Sequence, residues 1–380
     1  MKLQMDFEDP NFYPSRVEAY KYLLENEPCW WSEINNCWVI TRYDDVTDML
    51  KNHETFTTKY GTTLKHRVPY GQTRTPIRFN EQDHKDYISD RLAVSKIFNY
   101  IVDSNLEDYI KDNTRSRFNE YLNSESFDIV SSILLKLPVD VICELLGVDE
   151  DGRDYLVQLS ESIFYFNEEL EEEEVLNKVS LFLLENTPKN IKIVSDEKLH
   201  GKELSIREKI LYSLVFMIAG QSTAASAMVN LMYDVISYNT EFEKVKKNKT
   251  LMVNFIEESL RFSNAAPGLV RTCTKDYEIH NKVIKEGDSV LISFGAANLD
   301  PQKWGNNSYS FCIDRDFGKQ NLAFGHGPHQ CMGIKLARMQ LTSLLEELIN
   351  LKKIKVQNII PKFQFDITGT CWKNIYVELN

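Results

Sequence analysis

The longest apolar run of the chain, Ile210 to Met232, is interrupted at Gly220-Gln221-Ser222-Thr223 and again at Asn230. A membrane span needs about 20 predominantly apolar residues, so this stretch reads as the middle of a long buried helix, Ser205–Ser237. Apolar positions at helical spacing predict further helices from Pro14 to Asn26, over Asp44–Lys51, from Asp83 to Tyr121, across Asp128–Leu146, over Phe242–Ser263 and from Ile334 to Leu351. Ala265-Ala266-Pro267-Gly268 ends the fifth of these. Two aromatic runs, Cys29–Trp31 and Cys37–Thr41, flank Glu33-Ile34-Asn35-Asn36 and predict a hairpin. Alternation from Leu269 to Phe294, with a turn at His280-Asn281, and again over Phe363–Leu379, predicts small sheets. Residues 52–80 lack a period and hold glycine, proline and polar groups, a long loop of the kind that often carries function. Asp300–Asp316 is irregular, and the six glutamates of Glu168–Glu174 around Leu170 read as a solvated helix face. With no repeat and no long linker, residues 1–380 are expected to form a single, mainly α domain.

Charge and composition narrow the chemistry. Apolar residues make up 43%, enough for a large core. The net charge of −12 argues against a nucleic-acid partner, because phosphate binding needs a basic surface. The acidic, aromatic start (Met5-Asp6-Phe7-Glu8-Asp9-Pro10) lacks a basic leader and an apolar core, so no secretory signal and no membrane anchor is visible. A cytoplasmic protein is expected. Seven cysteines, an odd number without a C-x-x-C pair, do not make a disulfide framework. The histidines form no H-E-x-x-H motif, and no nucleophile elbow is present.

One cysteine stands apart from the other six. Cys331 lies in Phe324-Gly325-His326-Gly327-Pro328-His329-Gln330-Cys331-Met332-Gly333, directly before the predicted helix from Ile334. Glycines let backbone approach a flat macrocycle and adopt positive φ, and a helix N-terminus stabilises a thiolate. Such a thiolate is a good axial ligand for haem iron and pushes electron density toward it, which favours O–O cleavage. A phosphate cradle is the competing reading of a glycine-rich loop before a helix. The spacing is not G-x-G-x-x-G and no lysine-serine or lysine-threonine pair follows, so that reading fails.

The decapeptide resembles the haem-binding signature of the cytochrome P-450 family, F-G-x-G-x-H-x-C-x-G, at every fixed position. The resemblance extends through the order of motifs over almost the whole chain. It implies the cytochrome P-450 fold, a large helical body with small β-sheets. It also implies a haem b (iron-protoporphyrin IX) cofactor with Cys331 as the metal ligand, a loop shaped by Phe324, Gly325 and Gly333, and monooxygenase activity of the soluble bacterial type. Ala219-Gly220-Gln221-Ser222-Thr223 resembles the family's oxygen-activating stretch, usually A-G-x-acid-T. There Ala219 and Gly220 let the helix pass close to the iron, and the Thr223 hydroxyl meets dioxygen or the water feeding it protons. Ser222 stands where an acid is usual, so protons must come through water, Gln221 or the substrate. General acids typically contribute ~100- to 10,000-fold. For haem propionates the family positions point to Arg91, Arg271 and His329, with Tyr87 where a histidine is usual. Glu258 and Arg261, an E-x-x-R pair on one helix face, resemble the family's buried structural pair, with Arg315 as third partner.

By the same resemblance the substrate is a small, largely apolar molecule, in a biosynthetic tailoring step. Its cavity draws on the 59–80 loop, the 160–190 region with Phe164, Tyr165 and Phe166, and Phe216, Leu269, Val270 and Gly369-Thr370. Arg67, Arg74 and Arg78 offer themselves to an anionic group, although a solvated loop accounts for them too. No flavin or nicotinamide domain is visible, so electrons must come from separate proteins, a ferredoxin and its reductase, docking at a basic patch of Lys335 and Arg338 with Lys96 nearby. Ser222 leaves desaturation, ring coupling or peroxide-driven chemistry open beside dioxygen-dependent hydroxylation. A haem-dependent sensor is the non-enzymatic alternative.

Overall fold

A computed structural model describes residues 5–9, 11–65, 67–72, 87–88, 91–92, 94–95, 98, 102, 106–148, 152–155, 178, 181–182, 206–316, 320–366 and 369–380. In chain order the helices are α1 (Phe12–Asn26), α2 (Tyr43–Lys51), α3 (Leu106–Tyr121), α4 (Lys136–Leu146), α5 (Ile206–Ser237), α6 (Asn239–Lys247), α7 (Met252–Phe262), α8 (Phe294–Ala297), α9 (Pro301–Trp304) and α10 (Ile334–Asn350). The strands are β1 (Cys29–Ser32), β2 (Cys37–Ile40), β3 (Phe56–Thr57), β4 (Phe127–Asp128), β5 (Gly268–Cys273), β6 (Tyr277–Ile279), β7 (Lys282–Ile284), β8 (Ser289–Ser293), β9 (Ile354–Asp366) and β10 (Gly369–Leu379). They belong to two compact units. One gathers Met1–Ile88, Asn230–Cys331 and Phe365–Cys371; the other gathers Ser89–Val229, Met332–Gln364 and Trp372–Asn380.

The first unit is built on a sheet of order β1-β2-β8-β5-β3. The predicted hairpin pairs Trp31 directly with Trp38, whose rings meet edge-on at 5.4 Å, and cross-strand aromatic contacts of this kind stabilise a sheet. β2 then pairs in parallel with β8, and β8 antiparallel with β5. β6 and β7 form a tight hairpin whose central residues, His280 (φ 49°) and Asn281 (φ 57°), are both left-handed, as a type I′ turn demands. The core beneath the sheet includes Ile40, Tyr43, Val46, Phe56, Ile292 and Leu322. The loop expected over 52–80 is fastened where it is described: Val270 N–H donates to Thr62 O at 2.8 Å, so the loop backbone extends the edge of β5. Arg67 donates to Asn35 O at 2.6 Å and so grips the hairpin turn rather than waiting for an anion.

The helix expected over Phe242–Ser263 is divided. Asn248 adopts an extended conformation (φ −139°, ψ 94°), and its side chain accepts from Thr250 N–H, starting a 3-10 turn that leads into α7. Asparagine competes with helical hydrogen bonding in this way, which local apolar spacing does not reveal.

In the second unit Val102, Leu106, Ile110, Val139, Ile142, Leu145 and Leu336 share one core. The described part of the expected Asp83–Tyr121 helix is α3, with helical positions at 87–88, 91–92 and 94–95 before it. Asp128 does not begin a helix. It lies in β4, and its carboxylate accepts from Val130 N–H and Ser131 Oγ, capping a π-helical turn, Val130–Leu134, that runs into α4. Gly147, left-handed at φ 69°, closes α4. Arg117 holds the buried Asp140 through two bonds of 2.9 and 3.0 Å. The tail makes the sheet β4-β10-β9. Lys96, Arg74, Arg78, Phe164, Tyr165, Phe166 and the glutamate run all fall outside the described residues.

Candidate active site

Short hydrogen bonds fold the cysteine segment back on itself. Cys331 N–H donates to Phe324 O at 2.9 Å, Gly325 N–H to Leu322 O at 2.9 Å, and Gln330 N–H to Gly327 O at 3.0 Å. Gly325 (φ 66°) and Gly327 (φ 73°) are left-handed. At Gly327 a side chain is excluded twice over, because a Cβ would also stand 2.8 Å from the carbonyl oxygen of Leu50. Gly333 is different: at φ −79° it uses no glycine-specific conformation, and it serves as the N-cap of α10, with Ala337 N–H donating to its carbonyl at 2.8 Å. Cys331 is exposed, whereas Cys29, Cys37, Cys143 and Cys273 are buried. Burial pushes the thiols of Cys29 and Cys143 up to about 12 and that of Cys37 up to about 11.

Arg271 is buried on β5, and the hydrogen bond its guanidinium makes among the described residues is to the carbonyl of adjacent Val270, at 3.1 Å. Among the described residues no carboxylate reaches it. Burial lowers its pKa to about 10, opposed only by the Tyr87 phenol, which represents a desolvation cost of about 3 kcal/mol. Tyr87 is itself buried, donates to Pro328 O at 3.2 Å and stacks on the His329 ring at 4.1 Å and 13°. The structure thus gathers three of the expected propionate residues, Arg271, Tyr87 and His329, around the cysteine loop. An uncompensated buried cation is the observation that fits an anionic cofactor group: a propionate would supply the missing charge. Arg91 belongs to the second unit, where it is helical and partly buried.

A charged cluster on α7 underpins the same unit. Arg261 donates to Glu258 from Nε (2.7 Å) and Nη2 (2.8 Å), and also to the carbonyls of Asn298, Ser308 and Ser310 at 2.7, 2.8 and 3.0 Å. Glu258 accepts further from Cys312 N–H at 2.7 Å and from Arg315 Nε at 3.0 Å. Arg315 is therefore the third partner, and the cluster ties α7 to the irregular stretch 298–315. Burial lowers the pKa of Arg261, and Glu258 opposes that shift.

In the second unit Ala219 is exposed and Thr223, one turn on, is partly exposed, so this face of α5 is open. Gly220 also serves helix packing. A Cβ there would lie 2.6 Å from Cδ1 of Ile142, so the glycine admits a side chain of α4. The Thr223 hydroxyl donates to Ala219 O at 2.8 Å. Gln221 is buried and, two residues before Thr223, projects from the opposite side of the helix. That spacing disfavours it as a relay to Thr223.

A family model described as Cytochrome P450 matches residues 94–364. The chain belongs to the cytochrome P450 family. It is 29% identical over 349 residues to the putative cytochrome P450 YjiB of Bacillus subtilis, covering 87% of this chain and 86% of that protein. To cytochrome P450(MEG) of Priestia megaterium it is 26% identical over 365 residues, covering 91% and 88%. The crystal structure of CYP109B1 from Bacillus subtilis superposes with a TM-score of 0.80 at 25% identity, covering 98% of this chain and 100% of that one. This P450 has the family's mainly helical fold with small sheets and is a haem-thiolate monooxygenase, an oxidoreductase acting on an organic substrate and dioxygen. Among the described residues, no helix is long and apolar enough to cross a membrane. Two roles lay beyond sequence reasoning. The close approach of Gly327 to Leu50 has no local signal. The grip of Arg67 on the hairpin turn could have been sought only by asking what holds a long loop in place.

Proposed function

We propose that Cys331 ligates the iron of haem b and that Arg271, His329 and Tyr87 receive its propionates, with Arg91 as a further donor. The carrying observation is the buried, uncompensated guanidinium of Arg271 beside the exposed Cys331 loop. Phe324, Gly325 and Gly333 hold the loop and its helix start around the ligand. Bound haem supplies activation of dioxygen for attack on an unactivated C–H bond. The rest falls to the chain. Thr223 commits its own proton to Ala219 O, so its oxygen acts as an acceptor that holds a proton-bearing water in place. Ser222 passes protons through its hydroxyl, where an acid would supply them. Ala219 keeps the open face of α5 clear of side-chain bulk.

The substrate is a small, largely apolar molecule oxidised in a biosynthetic tailoring step, and residues 1–380 act as one haem domain in the cytoplasm. Support for a single domain comes from the family match, which draws residues from both units. A ferredoxin with its reductase supplies electrons at Lys335 and Arg338. Neutralising both lysine and arginine should slow reduction at low salt and flatten its salt dependence.

The deciding experiment is the absorption spectrum of the purified protein, reduced under carbon monoxide. The Soret band of thiolate-ligated ferrous haem is expected, and it should be lost in Cys331→Ala. Haem bound without that band in the parent protein would overturn the ligand assignment.

A further inference from the structure

Asp234, in the last turn of α5, is wholly buried in the first unit. Its two carboxylate oxygens accept from Ser259 Oγ at 2.6 Å and Ser263 Oγ at 2.7 Å. Those serines lie on α7 and at its C-cap, beside the Glu258–Arg261 pair. One turn earlier on α5, Asn230 donates to Ser263 O at 2.9 Å. Asp234 is therefore the centre of a polar junction between two otherwise apolar helix faces.

Among the described residues no cation forms an ion pair with it. The nearest, Arg16 of α1, spends its guanidinium on the carbonyls of Tyr13 (3.0 Å) and Phe262 (3.2 Å), and on the Tyr13 ring at 3.9 Å. Among the described residues the other ionisable groups around the junction are Tyr13 of α1, Tyr233 of α5, Tyr238 just beyond it, and Glu258 of α7, whose charge repels a second anion. Two serine hydroxyls satisfy a neutral carboxyl as readily as a carboxylate, since the acid can donate to one and accept from the other. An isolated buried charge has no such alternative.

We infer that Asp234 is a buried proton-binding site that makes the fastening of α5 to α7 dependent on pH. Burial pushes its carboxyl up to about 7, against the serine hydrogen bonds and Arg16, with Glu258 adding to the rise. A folded carboxyl that keeps its proton where the unfolded chain has lost it stabilises the fold fully below the ordinary carboxylate range. That contribution is lost as pH rises through the folded value. The inference is independent of the iron ligand and of the substrate.

Thermal unfolding of the haem-loaded protein and of Asp234→Asn, followed between about pH 5 and 9, tests it. The variant cannot ionise. Its midpoint should rise relative to the parent as pH climbs from about 5 toward neutrality, by roughly 3 °C, and the difference should be constant at higher pH. Parallel curves at every pH would overturn the inference. Should the variant not fold, infrared spectroscopy of the parent decides. A protonated-carboxyl band should disappear near neutrality, and Ser263→Ala should shift that transition to higher pH by removing a donor to the ionised form. A band that is absent at about pH 5, or a transition unmoved by the serine substitution, would overturn it.

Discussion

Two buried arginines in the first unit stand in opposite circumstances. Arg261 has all five N–H groups occupied, by Glu258 and three carbonyls, and Glu258 in turn receives Cys312 and Arg315. Arg271 is also buried, yet among the described residues it reaches only the carbonyl of its neighbour. A saturated charge can do nothing further; its work is to hold residues 298–315 on α7. An unsaturated one keeps an electrostatic debt that only a ligand can settle. Three-residue spacing from Glu258 marks Arg261 in the sequence, whereas nothing local to Arg271 records that its guanidinium is left without a carboxylate among the described residues.

The largest effect is expected at Arg261. Arg261→Ala leaves the buried Glu258 carboxylate with Arg315 and Cys312 N–H alone and frees the carbonyls of Asn298, Ser308 and Ser310, and it should lower stability by about 3–5 kcal/mol, as read by denaturant unfolding. If the loss were within that of an ordinary surface substitution, the cluster would not be the clamp described. Arg271→Met should behave in the reverse sense. The haem-free protein should unfold at an equal or higher denaturant concentration, because an uncompensated charge has gone, while haem should leave about 10–100-fold faster. A variant that lost stability without haem and retained it normally when loaded would break the contrast. The smallest effect separates filled from open space on α5. Gly220→Ala meets Ile142 and should destabilise by about 1–3 kcal/mol, partly restored by Ile142→Val. Ala219→Ser, on the exposed face, should leave the unfolding midpoint unchanged and alter substrate-induced spectral shifts instead.

What could be read from the chain was whatever fixed spacing encodes. The hairpins were legible because aromatic runs and asparagine-bearing turns are local, and His280-Asn281 sat at the predicted corner. Cys331 was legible because several fixed positions around it agree, and Glu258 with Arg261 because three-residue spacing puts them on one helix face. The breaks at Asp128 and Asn248 were missed: each is a side chain outcompeting the helix for a backbone N–H, a choice that apolar periodicity does not record. The isolation of Arg271, the contact of Gly220 with Ile142 and the grip of Arg67 depend on residues distant in sequence. The amino-acid order specifies them only through the completed packing.

The uneven burial of the cysteines has a bearing on handling the protein. Among the described cysteine side chains, Cys29, Cys37, Cys143 and Cys273 are buried and Cys331 is exposed, so thiol-directed reagents reach Cys331 before Cys312, which is half-buried. Under the proposed ligation, alkylation or air oxidation at Cys331 would disable haem-free molecules and spare loaded ones. Maleimide labelling of a fresh preparation, read at the Cys331 peptide by mass spectrometry, would then count the fraction of molecules that never acquired their cofactor.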